Sequence, residues 1–504
     1  MNVHQNAFII LMVVVPLFAS FFIPILGWRA KRLCYPLAII AVLISLFSSL
    51  IVAKSVINHG HIQYFMGGWK PPWGIEFYID HLNAFVAVVV TFISLLGVIF
   101  SKKNVEKDLP NKEGAFYSLF LLLITGLLGI VLTGDVFNLY VFLEVASLSA
   151  YALIAMGEKG AMYASFRYLL IGTIGASWYL LGVGYLYIVT GSLNMMNLSG
   201  LLPDLYQSKA VLVGFAFILL GVGIKMALFP LHGWLPDAYT YAPSAVSAMV
   251  APLMTKVMIY VVIRVVFTVF SPEFLVSIAQ ATQILSWLGV LAILFGGIMA
   301  LSQTDFKRML CYIIVAEIGY MIGGIGIANA PALKGAILHI LNDALMMACL
   351  FIVAGMVMYQ TNGHKISDFK GIFRKMPFAA AIFTVGAVSV IGVPPTGGFF
   401  SKWYLLLGGI EANHWGFVIA LLISTLINVA LFAKVLDKGL YTHHGDASDH
   451  SSETAGHGSE PRAFKAPLSM SIPAWMVIAA ILLAGIFNQA ILKNLIQFAV
   501  PAGL

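Results

Sequence analysis

The chain has 504 residues, 61% hydrophobic and only 10% charged, with 28 Lys and Arg against 21 Asp and Glu for a net charge of +7. Soluble domains carry roughly 45–50% apolar and ~25% charged residues, so this composition excludes a water-soluble globular protein. It points to a polytopic membrane protein, and the positive charge lies in short connectors, as cytoplasmic loops require, rather than on a nucleic-acid surface.

A spanning helix needs about 20 successive apolar residues. Apolar runs bounded by Gly, Pro or charge predict helices at 7–28, 33–53, 83–101, 115–133, 136–157, 161–190 and 210–229. A matching set follows at 244–271, 280–302, 309–327, 331–359, 378–403, 413–439 and 473–498, giving about 14 transmembrane helices in a single all-α membrane domain over 1–504. The first run has no basic segment before it and is as long as a true span, so it reads as a helix rather than a cleaved signal. Residues 54–82 alternate apolar and polar side chains around Pro71 and Pro72, predicting a small hairpin over the outer face. Residues 440–466 are of low complexity and predict a disordered cytoplasmic loop, whose His443, His444, His450 and His457 are assigned no function. Alternate connectors hold most of the basic residues, among them Arg29, Lys102, Lys159, Lys307, Lys370 and Lys438. Placing these in the cytoplasm puts both termini outside.

An ionisable side chain inside a span costs about 2.5–3.5 kcal/mol on insertion scales, so each asks for a partner, a water cavity or a task. The exceptions to the loop-bound charges are Glu144, Lys225, Lys256, Arg264, Glu317, Asp343 and Lys402, joined by His232 and His339. Arg264 lies near the outer end of its helix and is expected to snorkel or pair structurally. Glu144 follows Asp135 by nine residues, roughly 13 Å along a helix axis and so near mid-membrane. Taken alone it can be a carboxylate paired for packing. Lys225, however, stands in GVGIKMALFPLHGWLP just before Pro230, and a proline within a span is tolerated where the freed carbonyls line a cavity. The second half repeats the device in GVPPTGGFFSK, where Pro394, Pro395, Gly397 and Gly398 precede Lys402. Paired interrupted helices in corresponding halves point to an internally repeated transporter. Lys256 lies between the two lysines, and His339 and Asp343, four residues apart, share one helix face. Burial disfavours a charged amine and a nearby carboxylate favours it, so such a polar line can move protons, with histidine as a relay.

Cys34, Cys311 and Cys349 are isolated and lack metal or redox spacing. No disulfide framework, haem, iron-sulfur centre, nicotinamide or flavin site is expected, hence no cofactor and no metal.

The segments GDVFNLYVFLEV, GIKMALFPLHGWLPDAYTYAPSAVSAMVAPLMTKVMIY, TDFKRMLCY and GVPPTGGFFSKW resemble the antiporter-like subunits of the Mrp antiporters and complex I, the MrpD, NuoL, NuoM and NuoN superfamily. The resemblance covers nearly the whole chain. It implies two inverted five-helix repeats, at 115–271 and 280–439, each with one broken helix. It further implies that Glu144 pairs with Lys225, that Lys256 bridges to the centre, that His339 joins the halves and that Lys402 ends the relay. A lysine at 402 is similar to MrpD, NuoL and NuoN, whereas NuoM has glutamate there. Where many relatives carry a further lysine, this chain has Met347, four residues after Asp343. Glu317 is expected to compensate by keeping a carboxylate in the gap, and Asp343 and His232 are auxiliary.

The expected function is therefore that of a proton-translocating, non-redox subunit within a larger complex, either an Mrp-type Na+/H+ antiporter or a redox-driven proton or cation pump. Its partners are other antiporter-like and small hydrophobic membrane subunits, protons, sodium in the antiporter case, and lipid, with no nucleic acid. The expected location is a bacterial or archaeal cell (inner) membrane. The alternatives are a structural or coupling subunit with an incomplete proton path, favoured by Met347, and a stand-alone carrier of cations or inorganic carbon.

Overall fold

The computed structural model of the chain describes residues 3–440, 466–501 and 504. The loop expected at 440–466 therefore lies, but for its end residues, outside the described residues.

In chain order the helices are α1 (Val3–Arg29), α2 (Cys34–His59), α3 (His81–Asp108), α4 (Glu113–Leu132), α5 (Val136–Ala155), α6 (Ala161–Thr190) and a short α7 (Met195–Leu201). There follow α8 (Lys209–Lys225), α9 (Leu235–Tyr241), α10 (Ser244–Arg264), α11 (Ala281–Ser302), α12 (Phe306–Ile327) and α13 (Ala330–Thr361). The set continues with α14 (Ile372–Lys375), α15 (Pro377–Ile391), α16 (Gly397–Glu411), α17 (Trp415–Leu440) and α18 (Leu468–Ile486). Between α2 and α3 the expected hairpin forms: β1 (Ile62–Phe65) pairs antiparallel with β2 (Glu76–Ile79), Ile62 opposite Ile79.

Among the described residues 12 helices are long and apolar enough to cross a membrane, so the chain is an all-α, multi-pass membrane protein. Hydrocarbon offers the backbone no hydrogen bonds, which makes helices the economical solution for these apolar runs. Asp80, Asp135, Asp305 and Asn329 cap α3, α5, α12 and α13 by accepting from free backbone N–H groups of the first turn. The helices α10, α12 and α13 are enclosed almost entirely by the others. Those on the outside, such as α1 and α17, turn Phe18, Phe21, Ile419 and Leu426 outward, as lipid contact allows.

Both expected interruptions are present, and the structure places them. The run predicted at 210–229 stops at Lys225, where Ala227 takes a positive φ of 61° and the helical ladder cannot continue. The run predicted at 378–403 divides into α15 and α16 around Gly392, at φ 91°. The last span, expected at 473–498, runs over Leu468–Ile486, and after a break at Phe487 short helical turns continue through Asn488–Ile491, Leu492–Ile496 and Gln497–Ala499; Gly485 packs directly on the Pro395 backbone.

The two halves share local construction. Asp135 bridges to Asn194 as Asp305 bridges to Lys365. Beside the first bridge Val136 N donates to Leu193 O and Met195 N to Gly134 O; beside the second Phe306 N donates to His364 O and Ile366 N to Thr304 O. Gly126 lies against the backbone of Ala146, and Gly296 against that of Ala316.

A buried row of ionisable side chains as the candidate functional site

On α5, Glu144, Ser147 and Tyr151 are spaced three and four apart and so share a face. That face meets Lys225, the last residue of α8. Its ammonium donates to Ser147 Oγ at 2.8 Å, Glu144 Oε1 at 3.3 Å and Tyr151 Oη at 3.3 Å. Lys225 is sealed, whereas the Glu144 side chain is 24% exposed, so only one partner of the pair reaches the surface. The interruption beyond Lys225 is pinned where Trp234 Nε1 donates to Ile224 O at 2.9 Å.

The centre of the row lies on the enclosed helices. Lys256 of α10 forms an ion pair with Asp343 of α13 at 2.8 Å, both side chains buried. The Lys256 amine also donates to Ala251 O at 3.3 Å. One turn before Asp343 on α13, His339 has both ring nitrogens engaged: Nε2 with Glu317 Oε2 of α12 at 2.5 Å, and Nδ1 with Ser401 Oγ of α16 at 2.8 Å. A carboxylate can only accept, so with Glu317 ionised Nε2 carries the proton, and in neutral His339 Nδ1 accepts from the Ser401 hydroxyl. Ser401 immediately precedes Lys402, whose amine donates to Val390 O, one residue before α15 ends, and lies 4.8 Å from the centre of the Tyr320 ring. Glu317 Oε1 and Asp343 Oδ1 find no hydrogen-bond partner among the described residues.

The row thus holds two tight contacts at its centre, with a lysine beyond each end. Removing charge from water costs several kcal/mol per ion unless partners compensate, and here each carboxylate faces an amine or an imidazole. Such an arrangement can exchange protons between neighbours, since each group's charge sets the proton affinity of the next.

Other expected residues fall elsewhere. His232 packs against Phe229 and Phe295, with ring centres 5.5 and 5.0 Å away, and no hydrogen bond joins it to the row among the described residues. Arg264 makes the structural pairing expected of it, donating to both Asp80 oxygens at 2.6 and 2.9 Å. Burial acts to raise the Asp80 carboxyl, but Arg264 and the N–H groups of Asn83 and Leu82 outweigh it and hold that carboxyl below the usual carboxylate range. Sequence reading missed Ser147, Tyr151, Tyr320 and Ser401. The first two were signalled by their helical spacing from Glu144; the others become neighbours only through the fold.

A multi-pass helical bundle that keeps several amines, carboxylates and an imidazole in its interior belongs to the class of ion-handling membrane proteins. Residues 133–428 match the family described as NADH:quinone oxidoreductase/Mrp antiporter, TM. The chain is 43% identical over 493 residues to NADH-quinone oxidoreductase subunit N of Desulforudis audaxviator, covering 98% of each. It is 30% identical over 498 residues to a Na(+)/H(+) antiporter subunit of Alkalihalophilus pseudofirmus, covering 98% of this chain and 97% of that one. Among solved structures, a chain of the membrane-bound sulfane sulfur reductase, an archaeal respiratory membrane complex, superposes with a TM-score of 0.87 at 28% identity, over 97% of this chain and 96% of that chain. The chain belongs to the NADH:quinone oxidoreductase/Mrp antiporter family, with antiporter-like subunits as its relatives.

Proposed function

We propose that this chain is a proton-translocating, antiporter-like membrane subunit of a multisubunit complex, either an Mrp-type Na+/H+ antiporter or a redox-driven proton or cation pump. The observation that carries the reading is the unbroken burial of Lys225, Lys256, Asp343, His339, Glu317 and Lys402 among helices of both halves. Glu144 modulates the charge of Lys225, Lys256 and His339 carry the proton across the centre, and Lys402 exchanges it with one side. Asp343 and Glu317 supply the central counter-charge, and His232 has only an auxiliary place. Electron transfer, where there is any, belongs to partner subunits.

Counting the two broken helices, α8 with α9 and α15 with α16, beside the 12 continuous spans gives a bundle of fourteen. Two inverted five-helix repeats, 115–271 and 280–439, are supported by a constant offset: adding 170 to Asp135, Gly126 and Ala146 leads to Asp305, Gly296 and Ala316, which make the same contacts. The relatives' names as subunits support assembly with other antiporter-like and small hydrophobic membrane subunits. With the basic connectors in the cytoplasm, both termini lie outside a bacterial or archaeal cell membrane.

Met347, buried where many relatives carry lysine, favours one rival: a coupling scaffold with a broken path. Proton uptake by the intact complex in liposomes separates the two. Lys225→Ala and Lys402→Ala abolish transport if the row conducts; transport unchanged by both leaves only the scaffold.

A further inference from the structure

A cavity of about 320 Å³ opens at the end of the bundle that carries the basic connectors, between Lys107 and Asp108 of α3, Glu158 after α5, Tyr241 and Ala242 at the end of α9, and Tyr359 of α13. Behind its wall lies a lysine that the row described above does not use. Lys307 is 2% exposed, and its amine donates to Ala242 O at 2.6 Å. One turn further along α12, Cys311 Sγ contacts Thr240 Oγ1 at 3.9 Å. Beside Thr240 comes Tyr239, then across Trp234 comes Tyr168 of α6. The Tyr168 ring is stacked on Trp234 at 3.7 Å, with Tyr239 edge-on to the same indole at 5.9 Å. Tyr168 in turn lies 4.6 Å, ring to ring, from Tyr151, whose hydroxyl accepts from Lys225.

The hydroxyls of Tyr239 and Tyr168 are both sealed, and neither has a hydrogen-bond partner among the described residues. Buried polar groups are ordinarily satisfied by protein or by ordered water. Two unsatisfied hydroxyls in succession, between an open cavity and a buried amine, are not what dry packing selects; phenylalanine would fill both places at lower cost.

We propose that Lys307, Tyr239, Tyr168 and Tyr151 form an access route by which protons pass between the basic-end cavity and Lys225, with water bonded to the two sealed hydroxyls. A hydroxyl both donates and accepts, so a tyrosine bonded to water on either side hands a proton on without itself becoming charged. Lys307 is the titratable group at the cavity end, and Lys225 is the destination. The inference rests on the reading of Lys225 as a proton carrier.

The test is the intact complex carrying Tyr168→Phe or Tyr239→Phe, reconstituted in liposomes with a pH-sensitive dye inside, after a pH jump on the side of the basic connectors. Each variant keeps its ring packing. Transport is expected to slow on the order of tenfold, as befits one lost hydrogen-bonded step, with assembly unchanged. Full-rate transport by both variants, with heat stability equal to or above that of the parent, overturns the route, since removal of an idle buried hydroxyl would do just that. Lys225→Ala in the same assay separates the two levels. If it is silent while both phenylalanine variants are active, the route alone fails; if it transports normally, the underlying reading fails as well.

Discussion

Lys256 and Asp343 close on each other at 2.8 Å from two different helices, with both side chains sealed. Among the described residues the Lys256 amine otherwise donates only to Ala251 O, at 3.3 Å. Asp343 is therefore the carboxylate set directly against the lysine at the centre of the bundle.

Asp343→Asn should cost about 3–5 kcal/mol, as breaking one side of a buried pair does, and should stop transport. The double variant Lys256→Met with Asp343→Leu should regain most of that stability, since apolar replacements of buried pairs are often neutral, yet stay inactive. Thermal melting of the purified complex beside proton uptake checks both halves. A double variant that transports would remove Lys256 from the path.

Glu317 faces His339, whose other nitrogen binds the serine next to Lys402. Replacing it by glutamine keeps the size and a hydrogen bond but removes the charge. A bond to a charged group is worth about 1.5–3 kcal/mol, so Glu317→Gln should lower the transport rate by roughly tenfold or more while the complex still assembles. Transport at the parent rate would show that the centre of the row works without this carboxylate.

How much of this was legible in advance depends on the kind of contact. The spans, the hairpin and both interruptions follow from apolar runs and prolines, which act locally. Helix ends were less legible: hydropathy carried the seventh span on to 229, but Ala227 turns to positive φ and the helix stops at Lys225. The buried charges were visible as chemistry without geometry. Nothing in the local sequence says that Asp343 turns to Lys256 while His339, on the same face, turns to Glu317 and Ser401. Those pairings are set by how α10, α12, α13 and α16 pack. Ser147 and Tyr151 were recoverable, because their spacing from Glu144 puts all three on one face.

Arg264 clamps the start of α3 through Asp80, away from the row. The Asp80 carboxyl is held below its ordinary value of about 3.9 despite its burial, chiefly by Arg264. A depressed folded value means that this pair's stabilisation is fully present above the unfolded value and is lost as pH falls through the folded one. Asp80→Asn should therefore lower the melting temperature at neutral pH, and the difference between variant and parent should shrink only in strong acid. A difference that already vanishes near pH 6 would contradict the ion-pair assignment.

The close crossings of α4 with α5 and of α11 with α12 depend on glycine. A Cβ on Gly296 would stand 2.7 Å from Ala316 N and 2.8 Å from Tyr312 O, and one on Gly126 would stand 2.6 Å from Ala146 N. These are backbone atoms and cannot swing aside. Ala316 is followed directly by Glu317, and Ala146 by Ser147, so forcing the helices apart displaces the groups that face His339 and Lys225. Gly296→Ala and Gly126→Ala should each cost about 1–3 kcal/mol, the usual cost of overpacking, and should slow transport. Gly184 supplies the control, since a Cβ there meets nothing within 4 Å; alanine at that mid-helix position should be neutral or stabilise by up to about 1 kcal/mol. Melting and uptake measured on the three variants together separate tight packing from mere helix propensity: equal behaviour at positions 126, 184 and 296 would mean that the crossings do not set the geometry of the row.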